Sequence, residues 1–166
     1  MVAQKGFGRS LLWLLCWLCL LACTRSEEGE EVMAEVGLSK INYSSTEIEV
    51  VELVNLYRTK NHLPKLQLLD EISEQAQLHN FHMVSKREVC HHFFGSRYLV
   101  LNERAGARAV AENVGFGYNS AEAVVNAWIE SAAHEKNMAG NYTHFGISIA
   151  SGEEGKLYFT NIFIRR

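Results

Sequence analysis

Seven histidines and four cysteines are spread through this 166-residue chain. Several stand at spacings that could do chemistry. Ser131 and His134 are three apart, which on a helix puts a hydroxyl and an imidazole on one face, the raw material of a nucleophile and its base. Nothing in the chain resembles a nucleophile elbow, so that pair lacks the usual setting. Cys90 is followed by His91. A neighbouring cation can lower a thiol's pKa and make it reactive, whereas an apolar setting leaves it inert. His79 and His82 form an i, i+3 pair. Asn42-Tyr43-Ser44 and Asn141-Tyr142-Thr143 spell glycosylation acceptors, which would be idle in a bacterial chain.

The segments that must carry these residues begin after an unequal start. Lys5 and Arg9 precede an unbroken apolar run, Leu11 to Ala22, of 12 residues. That is roughly 18 Å of helix, well short of a bilayer core of about 30 Å. Residues 1–22 therefore read as a secretory signal peptide rather than a membrane span, with a short anchor as the alternative. The run ends Leu20-Leu21-Ala22-Cys23, which resembles a bacterial lipobox, and Cys23 would then be lipidated. Its acyl chains would make the membrane a partner, while ordinary cleavage would leave a soluble secreted protein. Cys16 and Cys19 would leave with the leader. Cys90 would then be the one thiol left, unable to close an intramolecular disulfide, so the core alone must hold the domain. Residues 23–45 are acidic and without period and read as a flexible tether. The net charge of −3 gives no basic face for phosphates, which excludes nucleic acid as a partner.

The rest maps onto regular elements. Thr46 and Glu49 have capping-box spacing, and Ile48, Val51, Val54 and Tyr57 follow near helical period, predicting a helix over 46–60. Beyond Pro64, the spacing of Ile72, Ala76, His79 and Met83 predicts a helix over 69–86. A third covers 95–105, before Gly106. Residues 109–116 suit a strand. Ser120 is a good N-cap for a helix bearing Ala121, Val124, Val125 and Trp128, ending near Ser131. A short helix over 132–139 follows. Phe145, Ile147 and Ile149 alternate as a strand, 151–155 turns, and 157–164 is apolar on both faces, as in a strand covered from two sides. Helices followed by a hairpin give an α+β fold, with helices on both faces of a small sheet.

In this order the pieces resemble the CAP superfamily, or SCP domain (cysteine-rich secretory proteins, antigen 5 and pathogenesis-related 1 proteins), in its bacterial branch. The resemblance is carried by Asn55-x-x-Arg58, Leu63-Pro64-x-Leu66, Ala76-x-x-His79-x-x-x-Met83, His91-x-x-Phe94-x-x-Arg97, Glu112-Asn113-Val114, Trp128-x-x-Ser131-x-x-His134-x-x-Asn137 and Phe145-Gly146-Ile147. It implies an α-β-α sandwich over 46–166, with His79 packed inside and Asn55 and Arg58 holding the fold. It also implies a groove of His91, Glu112 and His134, with Ser131 where many members carry a second Glu. His92 replaces His91 if the alignment slips by one. His91, Glu112 and His134 are zinc-ligand types, so zinc is a possible cofactor; the alternative is a hydrogen-bonded cluster in which the carboxylate orients the imidazoles. The function implied is that of an exported, membrane-tethered, non-catalytic protein of the bacterial cell envelope. Its groove would bind a lipid, an envelope glycan or a protein. The alternative is a hydrolase on the same groove, metal-assisted or using Ser131, His134 and Glu112 as a triad.

Overall fold

The computed structural model describes residues 41–166. The apolar leader, Cys23 and most of the tether lie outside the described residues. Helix α1 (Ser45–Lys60) opens on a capping box of Ser44 and Glu47, not Thr46 and Glu49. Ser44 Oγ accepts from Glu47 N at 3.2 Å, and Glu47 Oε2 accepts from Ser44 N at 2.8 Å. Both pairs fit the pattern, but the carboxylate of Glu47 also accepts from Ile149 N at 2.9 Å. It therefore ties the helix to the sheet as well as capping it. The end of the segment read as tether is packed onto the domain. Ile41 is buried, and the Tyr43 hydroxyl hydrogen-bonds Asp70 Oδ1 and Ser73 Oγ, each at 2.9 Å.

Helices α2 (Asp70–Lys86), α3 (Phe94–Ala105), α4 (Ala121–Glu130) and α5 (Ala132–Met138) follow the predicted order. Ser120 caps α4 by accepting from Ala123 N. The strands are β1 (Gln67–Leu68), β2 (Ala109–Phe116), β3 (His144–Ser151) and β4 (Leu157–Arg165), in sheet order β1-β3-β4-β2. β4 pairs antiparallel with both β2 and β3, while β1 runs parallel to β3. The sequence reading missed β1, because two residues are too few to show a period.

The sheet is covered on both faces, as expected. On one side Val50, Val54, Val124, Val125 and Trp128 pack with Phe145, Ile147, Phe159 and Phe163. On the other, Ile72, Ala76, Leu101 and Ala105 pack with Ile162 and Ile164. Trp128 is core, with its indole N–H on Val114 O at 2.9 Å. Asn55 exchanges two hydrogen bonds with the backbone of Leu66, and the buried Arg58 donates to the carbonyls of Pro64, Met138 and Gly140. The fold-holding role expected of both is what they do. Among the described residues, no helix is long and apolar enough to cross a membrane.

Helix α2 lies so close on β3 that only a hydrogen fits between them at Gly146. A Cβ there would stand 2.4 Å from Ser73 N and 2.6 Å from the Ile72 carbonyl carbon. Backbone cannot swing aside like a side-chain tip. Gly146→Ala should therefore cost about 3 kcal/mol, the upper range for overpacking. Gly95→Ala, at a helical position with open space around it, should be neutral or stabilising by up to about 1 kcal/mol. Urea midpoints of both variants check this; equal stabilities would mean α2 does not pack so tightly.

Candidate functional site

Glu112 sits mid-way along β2, at the outer edge of the sheet opposite Ile162. Its neighbours along the strand alternate, so Glu112 points towards α2 and α3 while Asn113 points towards α5. The Glu112 side chain is 1% exposed. A carboxylate at that depth needs partners, and Arg97 at the start of α3 provides a fork. Arg97 Nε donates to Oε2 and Nη2 to Oε1, each at 2.8 Å. An ionised carboxylate only accepts, so His91 Nδ1, at 2.8 Å from Oε1, donates the third bond. Burial alone would push the pKa of Glu112 up; the His91 hydrogen bond and the Arg97 guanidinium outweigh it, so the pKa ends lowered.

The loop between α2 and α3 aims the histidines. Arg87 and Phe93 adopt left-handed backbone at its two ends. For a bulky residue such as Phe93 that is a costly conformation, held by its surroundings. Two buried groups pin the loop between them. His79 Nε2 donates to Cys90 O at 2.7 Å, and Arg97 Nη1 donates to His92 O at 2.7 Å. His79 Nε2 also lies 3.6 Å from Glu112 Oε1. His79 is interior, as expected, and its pKa is lowered chiefly by burial, against the pull of Glu112. Within the loop, His91 turns to Glu112. His92 turns away to lie edge-on to His82, with ring centroids 5.7 Å apart.

His134 comes to the site on α5, which is fastened to the edge strand by amides. Asn113 Nδ2 donates to His134 O at 3.0 Å, and Asn137 Nδ2 bonds both Glu112 O and Asn113 Oδ1. Its pKa is lowered by burial and by the nearby His91. The structure therefore brings His91, Glu112 and His134 to one edge. The sequence reading quoted Arg97, Asn113 and Asn137 in its motifs but gave them no role. The motif letters were the signal; the partners are distant in sequence.

Both oxygens of Glu112 accept from Arg97 and His91, and the set His91, His134 and Glu112 does not bring one ligand atom each within 4.8 Å of one another. Its arrangement is the alternative, a carboxylate orienting an imidazole. Ser131 is the N-cap of α5, three residues before His134, and its carbonyl accepts from Glu135 N at 2.8 Å. The chain breaks at Ser131 (φ −94°, ψ 110°), which joins α4 to α5 and makes no side-chain capping bond. The site is open, since the His91 side chain is 53% exposed. Clefts lie elsewhere too, one of about 390 Å³ between α2 and β3 and one of about 570 Å³ along α1.

The chain has relatives among known proteins. The Bacillus subtilis (strain 168) protein YkwD is 31% identical over 119 residues, which are 69% of this chain and 46% of that protein. The membrane protein YlbC of the same organism is 26% identical over 129 residues, 74% of this chain and 35% of that one. The chain thus spans less than half the length of these relatives. In three dimensions it is similar to an outer surface protein of Borrelia burgdorferi, with TM-score 0.67 and 19% identity, covering 76% of this chain and 96% of that one. It is also similar to an extracellular SCP-domain protein of Bacillus anthracis, with TM-score 0.63 and 22% identity, covering 73% and 40%. These likenesses establish the fold. The family model for the cysteine-rich secretory protein family, CAP, matches residues 51–163, and the chain belongs to that family.

Proposed function

We propose that the protein is an exported binding module of the bacterial envelope, tethered through a lipidated Cys23. Its groove of His91, Glu112, Ser131 and His134 holds a lipid, an envelope glycan or a protein segment without transforming it. One observation carries the non-catalytic reading: both oxygens of Glu112 are occupied by Arg97 and His91 in a buried ion pair. A general acid or base must be free to take and release a proton, and an ionised carboxylate locked in this fork is not. Ser131 adds no activated nucleophile, since among the described residues no hydrogen bond joins its hydroxyl to His134. The imidazoles of His91 and His134 are left to meet a ligand as hydrogen-bonding groups.

Loss-of-function variants separate the readings. A binding module gives no turnover on ester, amide or glycan substrates that exceeds its own His134→Ala variant. His134→Ala should fold and lose affinity for whichever envelope fraction the wild-type chain retains. Turnover that falls by orders of magnitude in His134→Ala would make the protein a hydrolase instead.

Glu112 should behave as a structural anion. Glu112→Gln leaves Arg97 buried without its countercharge, and breaking such a pair costs about 3–5 kcal/mol. Acid acts in the same direction. The pKa of His79 is lowered from 6.5, so below about pH 6.5 the unfolded chain takes up a proton that the native state refuses, and stability falls. The pKa of Glu112 is lowered from 4.5, so its contribution is full above that value and is lost as pH falls through its native pKa. Urea midpoints taken with chelator present should therefore decline from about pH 6.5 and decline further below about pH 4.5. The second decline should shrink in Glu112→Gln.

A further inference from the structure

We infer that His82, Cys90 and His92 form a binding site for a thiophilic divalent cation of the zinc class, separate from the His91–Glu112–His134 edge. Each of the three offers one ligand atom, and these atoms all lie within 4.8 Å of one another. Among the described residues no other histidine, cysteine or carboxylate group of three meets that condition. A cysteine thiolate with two imidazoles is a common zinc donor set, and three protein ligands leave the fourth tetrahedral position open.

The backbone prepares the site. Cys90 and His92 flank His91 in the loop, and Cys90 packs against Met83, Val114 and Tyr158. The same two bonds that fix the loop, His79 to Cys90 O and Arg97 to His92 O, hold their backbones in place. His82 comes from α2, one turn beyond His79, and its ring stacks on that of His79 with centroids 6.2 Å apart. The Phe93 ring packs edge-on against His82 at 5.2 Å.

An independent observation concerns His82 itself. Its Nε2 is buried and has no hydrogen-bond partner among the described residues. Leaving a buried polar atom unsatisfied costs about 1–3 kcal/mol, and a bound cation removes that cost. With Zn–S near 2.3 Å and Zn–N near 2.0–2.1 Å, tetrahedral ligand atoms stand roughly 3.5 Å apart. Three atoms already within 4.8 Å need to close by about 1 Å, and His92, which brings one of them, is exposed. Binding converts the Cys90 thiol to thiolate and releases its proton to solvent.

Cobalt(II) tests this, because thiolate ligation gives a near-ultraviolet charge-transfer band that an all-imidazole or carboxylate site does not. The reduced full-length chain, in detergent micelles and titrated with cobalt(II), should show that band, saturating at one cobalt per chain and displaced by zinc. Cys90→Ser should abolish it. His92→Ala, at an exposed position where folding is not at risk, should weaken cobalt binding at least about tenfold. Absence of the band would overturn the inference. So would a band that survives Cys90→Ser, which would belong to Cys16, Cys19 or Cys23, or binding unchanged in His92→Ala.

Discussion

A carboxylate buried as deeply as that of Glu112 is tolerable only as a fully paired ion, because an unpaired charge at that depth costs several kcal/mol. Here the pairing organises everything around the edge of the sheet. Arg97 meets the carboxylate with a two-pronged fork, which fixes where α3 must start. Its remaining nitrogen holds the carbonyl of His92, and His79, beside the same carboxylate, holds that of Cys90. One anion therefore sets a helix start, the path of a loop and the direction of an imidazole. Arginine is suited to this work because its planar donors match a carboxylate in two places at once.

The loop turns adjacent residues to different ends. His91 is spent on Glu112 through Nδ1, which leaves its other nitrogen facing outward in a defined tautomer. His92 is turned to the opposite side, beside His82 and Phe93. The left-handed backbone of Phe93 is the local cost of that reversal. The oriented imidazole and the Cys90–His92 cluster therefore share one support. Loosening the Arg97–Glu112 pair would disturb both, even though neither residue belongs to the cluster.

Much of this was legible in the sequence, and the residues that were not share a reason. The helix bearing Val124, Val125 and Trp128 and the doubly buried strand at the C-terminus declared themselves by period and by composition, which are local signals. β1 was too short to have a period. The choice of Ser44 and Glu47 over Thr46 and Glu49 as capping box was decided by Ile149, 102 residues beyond Glu47 in sequence. Glu112 looked like a metal ligand because residue type shows what a group can do. Arg97, 15 residues upstream, decides what it does.

Polar groups also fix the register in which the core closes. Thr160 Oγ1 donates to Asn80 Oδ1 at 2.7 Å, and Asn80 Nδ2 donates to Ser148 O at 2.8 Å, so α2, β3 and β4 meet in one alignment. Asn161 donates to Gly146 O from the other face of β4, and Asn113, its partner in register, is held by Asn137. Sliding any of these strands by one residue would exchange its faces and bury each amide against hydrocarbon. Among the described residues the one cysteine, Cys90, is free, so no disulfide supplies this specification. Apolar packing favours collapse but tolerates many near-equivalent arrangements. Paired amides tolerate few, and in this domain they and the Glu112 ion pair restrict the collapsed chain to a single register.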